Sequence, residues 1–420
     1  MRQTDSVIDD LAAFVQASPS SFHTAEEVAR RLVAAGYTRV EETEAWPTGP
    51  GRCVAVRDGA VIAWVVPVGA DAVTPSRIIG AHTDSTGFKL KPGGTVRQAG
   101  LAQAGVEIYG GPLLNSWLDR ELALAGRVVL RSGESRLVRT GPLLRIPQLA
   151  IHLDREISKG LLLDRQRHTQ PIWGTEDAGE IAEVIAAAAG CEADDIAGTD
   201  LFAVDTQAPA RFGAGGVFLA STRLDNLSSV HAGLRALLGS DDADGIRVLA
   251  AYDHEEVGSE TRTGAAGTFL VDVLGRIYDG LGASDAERRR AFAASWCVSS
   301  DAGHAVHPNY QDRHDPEVRP VLGGGPLLKL NANQRYTTDA AGSALWRRAC
   351  AAADVATQAF VANNAIPCGS TIGPLQATRL GIRTVDVGVP LLSMHSAREL
   401  AHVDDLVALG DALTAFYAGA

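Results

Sequence analysis

Five segments of this chain set acidic or imidazole side chains at or just beyond an apolar run. They are "GAHTDS" with His82 and Asp84, "TRLDN" with Asp225, "DHEEVGS" with Glu255 and Glu256, "SSDAGHAVHPNY" with Asp301, His304 and His307, and "LLSMHSARE" with His395. Taken singly, each looks like a turn or a cap, because Asp, Ser and His populate loops freely. Taken together they could do chemistry. Two divalent ions roughly 3.5 to 4 Å apart need imidazoles, carboxylates and one bridging carboxylate, while a further carboxylate must stay off the metals as a base. Two histidines, two aspartates and one glutamate, with a second glutamate to spare, meet that need.

The adjacency of Glu255 and Glu256 is the sharpest clue. In a regular strand, neighbouring side chains leave opposite faces, so one carboxylate would meet solvent and the other a partner. If the strand "GIRVLAAY" ends at Tyr252, irregular backbone can instead aim both inward, one as ligand and one as general base. Asp84, two residues after His82, either takes the imidazole's other N–H and fixes its tautomer or forms a turn before Ser85.

The elements that must position these groups read as an α/β sheet with an insertion. "VIAWVVPVG", "RIIGAHTDS", "IRVLAAY", "WCVSSDAGHA" and "IRTVDVGVP" are strand-like and alternate with helical stretches such as "LDNLSSVHAGLRALLG". In open sheets of this kind, ligand and catalytic groups collect at the strand ends. "HTAEEVARRLVAAG" reads as a helix, with Thr24 and Glu27 at capping-box spacing and Gly36 as its stop. After Lys91 the texture changes to short β-type runs broken by Gly and Pro: "KPGGTVRQAG", "VEIYGGPL", "GRVVLRSG" and "SRLVRTGP". With one Ala-rich helix, this region continues to "QAPARFGAGG". It is expected to be a β-rich insertion over residues 94–213, leaving 1–93 and 214–420 as a discontinuous catalytic domain.

At 420 residues the chain exceeds the usual single core of about 250 to 300, which agrees with two units. Hydrophobic residues are 46% and charged residues 21%, the balance of a globular protein. A formal charge of −12 argues against nucleic acid or an anionic membrane as the main partner, since both need clustered Lys and Arg. No apolar leader and no apolar stretch of about 18 residues is present, so neither secretion nor membrane spanning is signalled. The 5 cysteines are scattered without a C-x-x-C, which fits a reducing cytoplasm better than a disulfide framework.

The motifs as a set resemble the aspartyl aminopeptidase family of dinuclear zinc metallopeptidases. The likeness runs in order from "SSFHTAEE" through "AHTDS", "NSWLDRELALAGRVV", "IPQLAIHLDR", "RLDNLSS", "DHEEVGSE", "SSDAGHAVHPNY", "LKLNANQRYTTD" and "CGSTIGP" to "SMHSARE". The resemblance implies a zinc-aminopeptidase-type catalytic domain, a mixed sheet flanked by helices, with an inserted β-rich dimerisation domain. It implies two Zn2+ per subunit, with Co2+ or Mn2+ as substitutes. Asp225 would bridge them, His82 and Asp301 would complete one site, and Glu256 and His395 the other. Glu255 would be the general base that takes a proton from water and passes it to the leaving amine. Lys329 would meet an acidic substrate side chain, with Tyr336 and His304 near the substrate carbonyl or a metal-bound oxygen. His152, in the insertion, would reach a neighbouring subunit's active site, implying a homo-oligomer, in the family often a dodecamer built from dimers.

On their own residues several of these positions read more plainly. Lys329 in "PLLKLN" is a strand-surface lysine, Tyr336 a half-buried aromatic and His152 in "LAIHLD" a packed strand histidine. His304 and His307, spaced i and i+3, could themselves be ligands, although Pro308 disfavours a helical turn. "CGSTIGP" is a helix start with Pro374 early in it, whose N–H groups would suit a carboxylate or carbonyl. The leading expectation is a cytoplasmic metal-dependent aminopeptidase that removes N-terminal Asp or Glu from peptides. The alternatives are a neutral-residue aminopeptidase or amide deacylase on the same metals, and a self-assembling scaffold whose metals are structural.

Overall fold

The structure, a computed structural model, describes residues 3–240 and 245–419. A nine-stranded sheet carries the site. Its spatial order is Thr38–Arg39, Gly51–Arg57, Ala60–Val66, Ile246–Tyr252, Ser76–His82, Trp296–Ser300, Arg383–Gly388, Leu327–Lys329 and Gln358–Phe360. The four strands in the run from Ile246–Tyr252 to Arg383–Gly388 are mutually parallel, so all four end on the same edge. Antiparallel pairs flank them on both sides.

These four strands are buried along most of their length because both faces are covered. On one face Val61, Ala63, Ile79, Leu249, Val298 and Val385 pack with residues of the helices Ser21–Ala34, Leu224–Leu238, Ala340–Ala352 and Val403–Tyr417. On the other, Ile62, Trp64, Ile78, Val248 and Cys297 pack with residues of Phe269–Gly280 and Gly373–Leu380. Ile78 and Ile79 thus serve opposite cores, as a period of two requires. Fully burying side chains of this size contributes about 1.5–3 kcal/mol each, which makes the sheet a rigid platform.

A second, six-stranded sheet is antiparallel throughout and runs in sequence from Gly87–Gln98 to Ile196–Asp205. A third, of five strands, joins Ala210–Phe212 and Phe218–Ser221 to Glu399–His402, Pro390–Leu392 and Gly303–His304. Among the described residues no helix is long and apolar enough to cross a membrane.

One local reading changes. The helix expected from Thr24 starts at Ser21, and its cap is Ser20, whose hydroxyl accepts from the His23 amide. Thr24 lies inside the first turn, its hydroxyl donating back to the Ser20 carbonyl at 3.0 Å, and Glu27 is occupied by Arg30 and Arg31. The S/T-x-x-E spacing occurs here inside the helix, one turn after the true start.

Candidate metal centre

The site forms where the parallel strands end. His82 is the last residue of its strand and stands opposite Tyr252 in register. Beyond Tyr252 the chain turns sharply, with His254 in the left-handed region at φ 65°, and then makes a single turn of helix, Glu255–Val257, closed by Gly258 at φ 99°. The two glutamates therefore leave an irregular turn instead of a strand. Their backbone amides both donate to Asp84, Glu255 to Oδ1 at 3.0 Å and Glu256 to Oδ2 at 3.1 Å. Asp301 follows the strand Trp296–Ser300, and its amide donates to the Val387 carbonyl at 2.9 Å. Gly388 is required beside it, because a Cβ there would lie 1.7 Å from the Asp301 carbonyl oxygen. Asp225 stands at the mouth of the helix Leu224–Leu238 with non-helical φ and ψ, and its peptide bond to Asn226 is cis.

Two overlapping groups result, His82 with Asp225 and Asp301, and Asp225 with Glu256 and His395; within each group ligand atoms lie within 4.8 Å of one another. Asp225 Oδ1 is 3.2 Å from His82 Nε2, and Oδ2 is 3.6 Å from His395 Nε2. Asp301 Oδ1 stands 3.6 Å from His82 Nε2, and Glu256 Oε2 3.3 Å from His395 Nε2. Glu255 belongs to neither group but brings Oε2 within 4.0 Å of His82 Nε2. His304 and His307 enter neither group among the described residues.

Electrostatics set the character of the cluster. Burial pushes the Glu255 carboxyl up to about 8, with His82 working against this and Asp301, Asp84 and Asp225 working with it. Burial, and next the Asp225 charge, hold Glu256 well above the usual carboxylate range. For His82 burial acts downward, yet Asp225, Asp301 and Asp84 outweigh it and raise the imidazole; for His395 burial also acts downward, and Asp225 and Glu256 outweigh it and raise the imidazole to about 10. The carboxylates outnumber the cations, so the cluster favours added positive charge. Among the described residues, Asp225 Oδ1 and Glu256 Oε1 are buried without a hydrogen-bond partner. Carboxylate oxygens and imidazole nitrogens converging in this way fit a divalent ion such as zinc.

Asp84 does more than attend to the histidine. Its carboxylate Oδ1 is 3.4 Å from His82 Nδ1, whereas its own backbone carbonyl is closer, at 3.1 Å. The carboxylate is the acceptor for both glutamate amides and for the Tyr109 hydroxyl, at 2.8 Å. Tyr109 ends a strand of the second sheet. From the same region, the Gly111 carbonyl meets His395 Nδ1 at 3.1 Å, and the Leu113 amide donates to the His395 carbonyl. Neither Tyr109 nor Gly111 stands out in the sequence, since both lie in the stretch "VEIYGGPL", which carries only a β signal. Glu399, which ends "SMHSARE", was equally silent, although its carboxylate holds the Asp225 and His395 amides.

In front of the cluster opens a cavity of about 450 Å³, lined by Asp225, Glu255, Glu256, Asp301, His304, Lys329, Tyr336 and His395 among others. Lys329 is no surface lysine: it is 2% exposed, its Nζ donating to the Ala302 carbonyl at 2.7 Å and standing 5.4 Å from the Tyr336 ring centre. Tyr336 is buried and His304 is exposed to the cavity. Behind this wall Asp386 accepts from the Thr337 amide and hydroxyl and from the Thr371 hydroxyl, tying the segment of Tyr336 to that of Ser370. The helix expected after "CGSTIGP" is Gly373–Leu380, with Pro374 in its first turn. His152 does not line the cavity of its own chain, and it is not a packed strand histidine: it lies exposed in a turn after the residues that pair with the second sheet.

Comparison with known proteins agrees with this geometry. Residues 14–417 match the family described as aminopeptidase I zinc metalloprotease (M18). The chain is 53% identical over 420 residues to a protein of Streptomyces avermitilis named "Probable M18 family aminopeptidase 2", covering 98% of this chain and 97% of that one. Among solved structures it resembles Ape4 in a complex with Nbr1, at 34% identity and a TM-score of 0.95 over 99% of this chain and 86% of that chain. It also resembles the S. cerevisiae mApe1 dodecamer, at 27% identity and a TM-score of 0.87 over 99% of this chain and 97% of that one. The chain belongs to the M18 family of zinc metalloproteases. Its activity is that of a zinc aminopeptidase.

Proposed function

We propose that the protein removes N-terminal Asp or Glu from peptides with two metal ions per subunit and Glu255 as the general base. One observation carries this reading: Asp225 is shared by two donor groups, while Glu255 stands beside them and belongs to neither. His82, Asp225 and Asp301 would hold one zinc ion and Asp225, Glu256 and His395 the other; Co2+ or Mn2+ suits the same donors. Held there, the ions would supply Lewis-acid polarisation of the scissile carbonyl and a lowered pKa for water. Glu255 takes the proton from the attacking water and delivers it to the leaving amine. Asp84 keeps Glu255 and Glu256 in register through their amides.

The acidic preference rests on Lys329. Among the described residues its nearest carboxylate oxygen, on Asp301, is 3.9 Å away, beyond hydrogen-bond reach, so its charge remains open to a substrate carboxylate. Tyr336 and His304 flank the substrate carbonyl. A neutral-residue specificity, or amide deacylation, is the second reading, favoured by the apolar side chains Phe360, Val361 and Ile366 in the same wall.

Residues 94–213 act in this reading as an inserted oligomerisation domain, although the first strand of the second sheet already begins at Gly87. His152 reaches the active site of a second copy. Exposed Leu149, Ile151 and Leu153 around it, at 57%, 53% and 75%, support a surface that another subunit covers, and the mApe1 neighbour is itself a dodecamer. Five free cysteines support a cytoplasmic setting.

The test is release of free N-terminal amino acid from peptides that differ only in that residue, with metal-stripped protein and again after zinc, cobalt or manganese is restored. Metal-dependent release favouring Asp and Glu is expected, and Glu255→Gln should nearly abolish turnover while still binding metal. Release favouring Leu would overturn the specificity, and an active Glu255→Gln the base.

A further inference from the structure

Glu399 opens the strand Glu399–His402 and pairs with Ser221 of Phe218–Ser221. It therefore lies between the chain that enters the helix carrying Asp225 and the hairpin that carries His395. It is 2% exposed. Its Oε2 accepts the Asp225 amide at 2.9 Å, and its Oε1 accepts the His395 amide at 2.7 Å. His395 has its backbone in the left-handed region at φ 65°, a conformation that an L residue keeps only when its surroundings hold it. The other donor group is supported differently: His82 Nδ1 faces the Asp84 carbonyl, and the Asp301 amide donates to Val387. A buried carboxylate joined to two neutral amides is destabilising unless positive charge stands nearby, and a dication held by Asp225, Glu256 and His395 would supply it.

Resting on the two-metal reading above, we infer that Glu399 is a positioning residue which sets the affinity of one metal position selectively, the one formed by Glu256 and His395 with the shared Asp225. A side chain that accepts both amides locks the distance between the shared ligand and the imidazole. Glu399→Gln keeps the size but turns one of the two acceptors into an NH2 donor, leaving one backbone N–H unpaired.

The experiment titrates metal-stripped wild type, Glu399→Gln and Glu399→Asp with Co2+, reading the visible absorption of each bound ion, with thermal unfolding of the metal-free proteins alongside. Wild type is expected to take two ions. In both variants one ion should bind as in wild type and the other about 10- to 100-fold more weakly, with kcat falling more than KM rises. Loss of both ions alike, the mark of a merely structural role, would overturn the inference, and so would unchanged binding of both. Those results leave the two-metal reading intact, whereas a wild type that takes only one ion would remove that reading and this inference with it. Should neither variant fold, hydrogen exchange of metal-free wild type decides the matter. Protected amides at Asp225 and His395 support the role of Glu399, and rapid exchange at both refutes it.

Discussion

Replacing Asp84 with Asn tests whether one carboxylate sets the position of both glutamates. In the native site Oδ1 accepts the Glu255 amide, and Oδ2 accepts the Glu256 amide and the Tyr109 hydroxyl. Asparagine keeps one oxygen, so in either orientation its NH2 group faces one of the two amides. Tyr109 can rotate its hydroxyl to accept, but a backbone N–H cannot. A buried donor left without a partner costs about 1–3 kcal/mol, and the surviving bond loses its charge assistance, roughly a further 1 kcal/mol. If all of the resulting 2–4 kcal/mol or so is felt in the transition state, kcat/KM falls about 30- to 1,000-fold. The assay is the initial rate of amino-acid release from an Asp-initiated peptide at saturating zinc, with thermal unfolding measured on the same preparation. A variant that keeps kcat/KM within about threefold of wild type would show that the turn holds the glutamates without Asp84.

Two further outcomes follow from the same geometry. Lys329→Leu should reduce kcat/KM for aspartyl substrates far more than for leucyl ones, by roughly the tens- to hundreds-fold that losing a charged hydrogen bond implies; equal losses on both would remove its part in specificity. Trp346, fully buried in the core under the helix Ala340–Ala352, should lose about 3–5 kcal/mol of unfolding free energy on change to Ala, read from the urea midpoint, and a shift under 1 kcal/mol would contradict the packing.

Much of the site could be read from the sequence because its residues sit at the ends of strands with uniform apolar texture. His82, Glu255, Glu256 and Asp301 each follow or close a run that the parallel order brings to one edge, and Asp225 and His395 follow short apolar strands of the third sheet. What stayed hidden depends on contacts between distant segments. Tyr109 and Gly111 look like ordinary residues of a β-rich stretch until the second sheet swings them against Asp84 and His395. Glu399 carries no local signal because its partners are backbone amides, which every residue possesses. Burial is equally illegible at Lys329, where the strand texture suggests a surface and the structure gives an ammonium enclosed beside Tyr336. The cap at Ser20 is hidden because the capping-box spacing belongs to Thr24 and Glu27, one turn later, while the residue three after Ser20 is His23.

The dispersal of the cluster has a consequence for the life of the chain before it is folded. Its members are scattered from His82 to His395, and Asp225, the residue common to both halves, stands in between. No nascent fragment that stops short of His395 contains the whole set, and no local hairpin or helix can assemble it. A hydrolase built in this way is inert while it is being synthesised, and its reactivity appears only once the sheet has closed.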